Sequence, residues 1–459
     1  MDSSRGDPRL SEAELGTVDA LTHDGEGVVH AGKTAFVAGA LPGELVRFRR
    51  VRKHKRHDEA ALIEVVRAAA ERTVPRCAHF GVCGGCALQH LAAERQIEAK
   101  QAQLRESLER IAAAAPQSWI EPLRGPQWGY RRRARLGARY VAKKGRVLVG
   151  FRERSAPYVA ATERCEVLAP AVGTLIGPLA ELLTGLSIRE RVPQIEVAVG
   201  DNAAALVLRV LEPPSATDLA ALAEFERRHA VRLYLQPAGV DSVARLGAAQ
   251  PSPEGQCREE PLFYRLREFD LTLEFAPTDF IQVNGAVNEA LVARAVELLC
   301  PSADSRVLEL YCGLGNFSLP LARRAGHVVA VEGDAGLIGR ARHNARRNGI
   351  GNVEFVAADL AVPLPAGLPW LSERFSHVLI DPPRVGAREV MRTIARIAPE
   401  RVLYISCHPG SLARDVGELV HEHGFALRAA GVLDMFPHTT HVESLALLTP
   451  GGSRERDGT

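Results

Sequence analysis

The sequence lacks the features that would direct it to a membrane or out of the cell. No apolar run approaches the roughly 20 residues that a membrane helix needs. The first ten residues, MDSSRGDPRL, are polar and hold no apolar stretch of the kind that signal peptides carry. Because cytoplasmic proteins rarely form disulfides, the eight cysteines favour metal binding or catalysis. We expect a cytoplasmic monomer without a membrane segment.

An excess of charge is also lacking, since the net charge is only +2. The positive charge is nevertheless concentrated in two stretches that contain no acid. Residues 47–57 hold seven lysines and arginines, and residues 130–146 hold eight. One such run alone is most often a solvated face, but two separate runs favour a polyanionic partner such as a nucleic acid.

The length and the residue pattern predict three domains. A chain of 459 residues is long enough for about three. Residues 11–68 alternate short apolar segments with glycine turns, which is typical of a small antiparallel β-barrel. Residues 69–261 begin with a cysteine-rich segment, continue with a predicted helix over 91–114 and are then β-rich. Residues 262–450 alternate strands with helices, which predicts an α/β domain.

Seven strand candidates outline the sheet of this last domain. They are residues 306–311, 328–332, 353–357, 377–381, 401–406, 426–433 and 441–448. Helical stretches separate most of them, which predicts a parallel sheet with helices on both faces. Only a short link separates the last two, and this predicts an antiparallel hairpin. We therefore expect a seven-stranded, Rossmann-like α/β domain.

Three consecutive strands of this sheet end in features suited to a nucleoside ligand. The first runs into the glycine-containing loop Cys312-Gly-Leu-Gly-Asn-Phe317, the second ends at Glu332, and the third leads to Asp359. An acid at such a strand end can bind ribose hydroxyls or an adenine amine. A third glycine in register is missing, so the loop departs from the dinucleotide fingerprint of dehydrogenases. It resembles instead motif I of the S-adenosylmethionine-dependent methyltransferases.

The next strand ends supply residues for a covalent mechanism. Asp381 and Cys407 follow two strands, and Glu443 begins the last one. Carboxyl ends of neighbouring strands face one crevice, and an antiparallel last strand would start on the same side. A thiolate that adds to carbon 6 of uracil makes carbon 5 nucleophilic, and a carboxylate can then remove the carbon 5 proton. Singly, each residue is more often structural; together they predict a site that methylates a flipped-out uridine.

Five stretches together resemble the RNA uracil-5-methyltransferase family. They are FIQVN (280–284), ELYCGLGNFSL (309–319), DPPR (381–384), SCHP (406–409) and LDMFPHTTHVES (433–444). The resemblance implies that Cys407 is the nucleophile and Glu443 the base. It also implies contacts to S-adenosylmethionine from Gln282, Tyr311, Asn316, Glu332, Asp359 and Asp381. His408 departs from the family, which usually has asparagine directly after the nucleophilic cysteine.

Four other cysteines predict a metal centre. Cys77, Cys83 and Cys86 are closely spaced, and Cys165 follows 79 positions later. Zinc sites usually use two close pairs, so the three-plus-one spacing favours iron–sulfur, with zinc as the alternative. Radical methyl-donor enzymes use a different spacing and fit poorly. The family resemblance implies a 4Fe–4S cluster held by these four thiolates.

The order of the regions indicates which RNA is methylated. Residues 11–68 resemble a TRAM domain, an OB-like RNA-binding barrel. A TRAM domain, a cysteine cluster and then the methyltransferase domain resemble the branch of the family that modifies a uridine of 23S ribosomal RNA. The tRNA-specific branch is similar in its catalytic part but lacks both upstream features. A tRNA uridine-5-methyltransferase, or an iron–sulfur redox protein that does not methylate, remains the alternative.

Overall fold

The computed structural model describes residues 12–154, 156–247, 260–364 and 367–452. The predicted polar tail and Cys257 lie outside these ranges. Contacts divide the chain into two units. The first contains residues 1–100, 152–160 and 437–440, and the second contains residues 101–151, 161–436 and 441–459.

A closed five-stranded barrel forms most of the described part of the first unit. Its strands, in the spatial order β1-β2-β3-β5-β4, are β1 (Glu14–Leu21), β2 (Glu26–Val29), β3 (Ala35–Ala38), β4 (Leu45–Lys53) and β5 (Asp58–Arg67). Alternate apolar residues point inward, among them Val18, Val37 and Phe48. The predicted barrel is therefore present.

A six-stranded sheet forms the amino-terminal part of the second unit. Its spatial order is β12-β11-β10-β9-β7-β8. The strands are β7 (Arg133–Val141), β8 (Arg146–Gly150), β9 (Gln194–Val199), β10 (Ala204–Arg209), β11 (Val231–Gln236) and β12 (Ala244–Arg245). Helices α3 (Ile176–Gly185) and α4 (Ala216–His229) contribute Leu179, Leu183 and Leu222 to its apolar core.

The basic run over 130–146 lies largely in this sheet, and three of its arginines have internal partners. Arg132 pairs with Asp201 at 2.9 Å, and Arg135 pairs with Glu196 at 3.0 Å. Burial lowers the pKa of Arg133, whose guanidinium donates to the carbonyl of Val197 at 3.2 Å. These arginines therefore stabilise the sheet, whereas Lys143, Lys144 and Arg146 of the same run are exposed.

An eight-stranded sheet carries the predicted donor and nucleophile residues, with the spatial order β17-β16-β15-β18-β19-β21-β20-β6. The strands are β6 (Ser118–Trp119), β15 (Arg306–Leu310), β16 (His327–Glu332), β17 (Val353–Ala357), β18 (His377–Ile380), β19 (Arg401–Ser406), β20 (Phe425–Leu433) and β21 (Glu443–Pro450). The sheet thus has eight strands where the sequence predicted seven. The eighth is β6, a two-residue segment that pairs in parallel with β20.

The orientation of the strands decides where their ends meet. Strands β15 to β19 pair in parallel, so their carboxyl ends lie at one edge of the sheet. Strand β21 pairs antiparallel with both β19 and β20, and it therefore begins at that same edge. A separate hairpin of β13 (Leu262–Leu266) and β14 (Leu271–Phe275) precedes this sheet in the chain.

The remaining helices connect or cover these sheets. They are α1 (Ala93–Ser107), α2 (Pro170–Gly173), α5 (Gly285–Leu299), α6 (Ser318–Ala322), α7 (Ala335–Arg347), α8 (Arg388–Ile397) and α9 (Pro409–His421). A π-helical turn over Leu108–Ala112 follows α1 and packs on α9, where the carbonyl of Ala112 lies 2.8 Å from His421 Nε2. Among the described helices, none is both long and apolar enough to span a membrane.

Candidate active site

The loop after β15 approaches the end of β16 closely. Tyr311, Gly313 and Gly315 all have positive φ angles, of 65°, 56° and 99°. This left-handed turn aims the Gly313 backbone N–H at Glu332 Oε2, 3.1 Å away. The other carboxylate oxygen of Glu332 accepts from the backbone N–H of Asp334 at 3.1 Å. Glu332 is thereby fixed at the strand end while it stays half-exposed to a ligand.

Tyr311 links the first strand end to the third. Its hydroxyl donates to the carbonyl of Leu360 at 3.2 Å, next to the exposed Asp359. Burial raises the pKa of Tyr311 to about 12, so the hydroxyl remains a donor at neutral pH. Asp359 accepts from the Ala361 N–H at 2.9 Å. Glu332, Tyr311 and Asp359 thus line one side of the sheet edge, as the sequence predicted.

Asn316 is held by two residues that the sequence motifs did not single out. Its amide exchanges two hydrogen bonds of 2.9 Å with the amide of Asn288 on α5. Its Oδ1 also accepts from the hydroxyl of Tyr264 on β13, again at 2.9 Å. Both partners are buried. These bonds tie the loop after β15 to the hairpin of β13 and β14 and to α5. The half-buried Gln282 lies just before α5, near the helix-capping residue Asn284.

Cys407 and Glu443 occupy neighbouring positions on adjacent strands. Ser406 pairs with Ser444 in the antiparallel register of β19 and β21, so Cys407 and Glu443 are the next residues at that edge. Burial, with smaller contributions from Glu443 and Asp381, raises the pKa of the half-buried Cys407 to about 11. The charge of Arg384 acts in the opposite direction. The thiol also lies two residues before α9, and a helix amino terminus favours a thiolate.

The two carboxyl groups beside Cys407 are shifted toward their protonated forms. Glu443 is only 3% exposed, and burial followed by repulsion from Asp381 raises its pKa well above the usual range. Burial raises the pKa of Asp381 to about 7. Groups with pKa values moved toward neutrality are typical of sites that transfer protons. The structure therefore brings together Asp381, Cys407 and Glu443 as the sequence predicted.

His408 caps the helix that follows Cys407. Its Nδ1 accepts from the backbone N–H of Ser411 at 3.1 Å, and its own N–H donates to Ser406 Oγ at 3.1 Å. Burial lowers the pKa of His408, and this favours the neutral ring that can accept the bond. An asparagine side chain is also a good acceptor at this position. The departure from the family pattern therefore keeps the helix cap.

The cysteine loop lies in the first unit, apart from Cys165, which belongs to the second. Cys77, Cys83, Cys86 and Cys165 are all half-buried and form no disulfide. The backbone N–H of Gly85 donates to Cys83 Sγ at 3.4 Å, and that of Cys77 donates to Gln89 Oε1 at 3.1 Å. Hydrogen-bonded thiols held in turns suit a soft metal centre. Elsewhere in the described part of the chain, the ligand atoms of Glu418, Glu422 and His423 lie close enough together to hold a metal ion. This group contains no cysteine.

Comparison with known proteins agrees with this geometry. The family model described as tRNA (Uracil-5-)-methyltransferase matches residues 261–362 and 365–450. A 23S rRNA (uracil(1939)-C(5))-methyltransferase RlmD from Xylella fastidiosa is 50% identical over 431 residues, covering 93% of this chain and 95% of the relative. The RlmD of Methylococcus capsulatus is 48% identical over 441 residues, covering 96% and 98%.

A solved structure has the same fold. The Pyrococcus abyssi tRNA (uracil-54, C5)-methyltransferase, crystallised with S-adenosyl-L-homocysteine, superposes with a TM-score of 0.69 and 23% identity. It covers 95% of this chain and 100% of its own. The family model and the curated relatives together define an RNA uracil-5-methyltransferase. At 48–50% identity over nearly the full length, the chain belongs to the family of 23S rRNA (uracil-C(5))-methyltransferases.

Proposed function

We propose that this protein transfers a methyl group from S-adenosylmethionine to carbon 5 of a uridine in 23S ribosomal RNA. The observation that carries the proposal is the register of β19 and β21, which sets Cys407 beside Glu443 at the edge that also carries the donor loop. The near full-length relatives named for this reaction support the choice of RNA. Since ribosomal RNA is the substrate, we expect the protein to act in the cytoplasm, as a monomer.

The reaction begins when Cys407 and Glu443, whose pKa values are both raised by burial, release their protons to solvent. The thiolate sulfur forms a bond to carbon 6 of the uracil, and carbon 5 takes the methyl group from the sulfonium, which leaves S-adenosylhomocysteine. Glu443 in its carboxylate form then removes the proton from carbon 5. The bond between sulfur and carbon 6 breaks, which restores the thiolate and the aromatic base. In this scheme the raised pKa of Cys407 keeps the resting thiol protonated, and therefore less prone to oxidation.

The donor is proposed to lie against the carboxyl ends of β15, β16 and β17. Glu332 would bind the ribose hydroxyls, and Asp359 would accept from the adenine amine. Tyr311, Gln282 and Asp381 would complete the contacts. Asn316 contributes by holding the loop through its bonds to Asn288 and Tyr264. The proposed binding domain is the Rossmann-like α/β domain of residues 262–450.

The barrel is proposed to be a TRAM-type RNA-binding domain of residues 11–68. Several arginines of β4 are already paired, for example Arg50 with Glu14 at 2.8 Å. Lys53, Lys55 and Arg56, by contrast, are exposed near the turn between β4 and β5. Free cations at one end of a barrel suit contacts to RNA phosphates. We expect the central domain, residues 69–261, to contribute to the same RNA contact.

Cys77, Cys83, Cys86 and Cys165 are proposed to hold a 4Fe–4S cluster. The four half-buried thiols and the N–H bond to Cys83 Sγ fit such a donor set. The cluster would have a structural or RNA-positioning role, because the methylation transfers no electrons. Protein purified without oxygen should be brown and should contain iron and sulfide. A colourless protein that contains zinc would contradict this assignment.

The proposed reaction is tested with labelled methyl donor and two RNAs. We expect the protein to convert one uridine of a 23S fragment to 5-methyluridine, identified by nucleoside analysis, and to leave tRNA unmodified. Methylation of tRNA alone would favour the alternative substrate that the family model's description names. Absence of 5-methyluridine in both RNAs would contradict the function. The redox alternative is disfavoured because the relatives are methyltransferases.

A further inference from the structure

A buried carboxylate, Asp415, contacts both the strand that leads to Cys407 and the loop that begins at Asp381. It lies on α9 and is 0% exposed. Its Oδ2 accepts from the hydroxyl of Tyr404 at 2.6 Å and from the backbone N–H of Ala387 at 2.7 Å. Tyr404 belongs to β19, three residues before Cys407. Ala387 ends the loop that begins at Asp381. One oxygen atom of Asp415 thus links strand β19 to the loop over 381–387.

Arg414 extends this connection to the surface. Its Nε donates to Asp415 Oδ1 at 2.8 Å, and its Nη2 donates to the carbonyl of Val385 at 2.8 Å. Gly386, which lies between Val385 and Ala387 in the loop, has a φ of 86°. A Cβ at this position would collide with Arg414 and would lie 2.6 Å from Asp415 Oδ2. The loop over 381–387 therefore packs directly on the carboxylate and the guanidinium.

These contacts restrain the distance between the loop over 381–387 and the end of β19, where Cys407 lies. Asp381 and Arg384, both of which influence the pKa of Cys407, sit on the loop that Asp415 holds. A buried carboxylate is costly to desolvate unless all of its acceptor positions are used. Here two N–H or O–H donors and an arginine satisfy it. Side chains that fix other catalytic groups in this way commonly affect rate more than binding.

We propose that Asp415 is a positioning residue for the methylation, a claim that rests on the function proposed above. Its carboxylate holds the loop over 381–387 against β19 and α9, and this sets Asp381 and Arg384 relative to Cys407. The donor contacts at Glu332 and Asp359 lie on other strands and do not depend on it. Loss of the carboxylate should therefore slow attack by Cys407 much more than it weakens binding of the methyl donor, for which Asp381 is one proposed contact among several.

The test compares Asp415→Asn with Asp218→Asn. Asp218 is a matched control because it is also a buried helix carboxylate, 3% exposed, that accepts from the backbone N–H groups of Ser187 and Ser215. It lies on α4, in the central sheet region. The assays measure the rate of covalent adduct formation with 5-fluorouridine-containing 23S fragments, the Kd for S-adenosylhomocysteine, and the melting temperature of the full chain.

For Asp415→Asn we expect adduct formation to slow by about 10- to 100-fold, because small misplacements at a reacting centre cost this much. The Kd for S-adenosylhomocysteine should change by less than about fivefold, since Asp381 is the one proposed donor contact that lies on this loop. Asp218→Asn should lower the melting temperature without slowing adduct formation by the folded protein. An Asp415→Asn protein with the wild-type adduct rate, or with rate and donor affinity reduced in parallel, would overturn the proposal.

A second variant guards against misfolding of the first. Tyr404→Phe removes a single hydroxyl that donates to Asp415 Oδ2, and it keeps the buried ring. We expect it to slow adduct formation by a factor of about 3 to 10, with an unchanged donor Kd. An unchanged rate in this variant would count against the proposal. If the wild-type chain itself forms no adduct, the failure lies in the proposed function and not in the role of Asp415.

Discussion

The edge of the eight-stranded sheet has a donor half, at the ends of β15, β16 and β17, and a nucleophile half, at β18, β19 and β21. The two halves differ in how much water reaches their carboxyl groups. On the donor half, Glu332 is half-exposed and Asp359 is exposed, and both accept backbone N–H groups. On the nucleophile half, Glu443 is buried, and burial raises the pKa values of Asp381 and Cys407. Both halves use acids at strand ends. Exposure suits an acid that binds hydroxyls, whereas burial suits an acid that exchanges protons.

The largest predicted effect is on the chemical step and not on donor binding. Glu443→Gln removes the group that takes the carbon 5 proton, so methyl transfer should proceed once and the enzyme should stay bonded to RNA. We expect turnover to fall by about a thousandfold or more, with a methylated covalent complex visible by denaturing electrophoresis and mass spectrometry. Glu274→Gln, at a buried glutamate on β14, is the control. Normal turnover by Glu443→Gln would contradict its role.

The matching change on the donor half should affect binding. Glu332→Gln weakens the acceptor for the ribose hydroxyls, so we expect the KM for S-adenosylmethionine to rise about 10- to 100-fold. At saturating donor, kcat should fall by no more than a few-fold. Steady-state kinetics with varied donor concentration measure both parameters. A large loss of kcat with an unchanged KM would mean that the two halves do not divide the work in this way.

The pH dependence follows from the raised pKa of Cys407, about 11. Below that value the thiolate fraction grows with pH, so the adduct rate should rise between pH 6 and 9, by up to about tenfold per unit. Ionisation of Asp381, with a pKa of about 7, adds negative charge beside the thiol and should reduce the slope above pH 7. Arg384→Met should lower the rate at each pH, because the charge of Arg384 favours the thiolate. A rate that falls with rising pH would contradict this assignment.

The smallest effect concerns the helix cap at His408. His408→Asn keeps an acceptor for the Ser411 N–H, and the adduct rate should stay within about twofold of wild type. His408→Ala removes the acceptor, which should cost about 1 kcal/mol of stability and slow the adduct a few-fold. Thermal melting and adduct kinetics measure the two effects. Identical behaviour of the alanine variant and wild type would show that the cap does not position Cys407.

Strong periodicity made most of the catalytic sheet predictable. The strands β17 and β19 have the predicted bounds, because each is an apolar run between turn signals. Strand β1 was missed because Val18 is its only buried residue, which leaves little alternation to detect. Strand β6 was missed because two residues carry no period, and only its partner β20 makes it a strand.

The residues of the candidate site also differ in how well the sequence predicts them. The placement of Cys407, Asp381 and Glu443 at one edge of the sheet was predictable because each sits at a strand end within a distinctive motif. Asn288, Tyr264 and Asp415 were not, because their importance arises from contacts between residues that lie 11 to 52 positions apart in the chain. The basic run over 130–146 suggested phosphate binding, yet acids elsewhere in the sheet neutralise several of its arginines. Tertiary partners, which a local pattern does not contain, decided these cases.

The most direct test of the account is formation of a covalent complex with 23S fragments that contain 5-fluorouridine. Fluorine cannot be removed as a proton is, so the bond between Cys407 and carbon 6 should persist after methyl transfer. We predict an adduct that maps to the Cys407 peptide in the wild type and in Cys300→Ala, and no adduct in Cys407→Ala. An adduct formed by Cys407→Ala, or none in the wild type, would contradict the account.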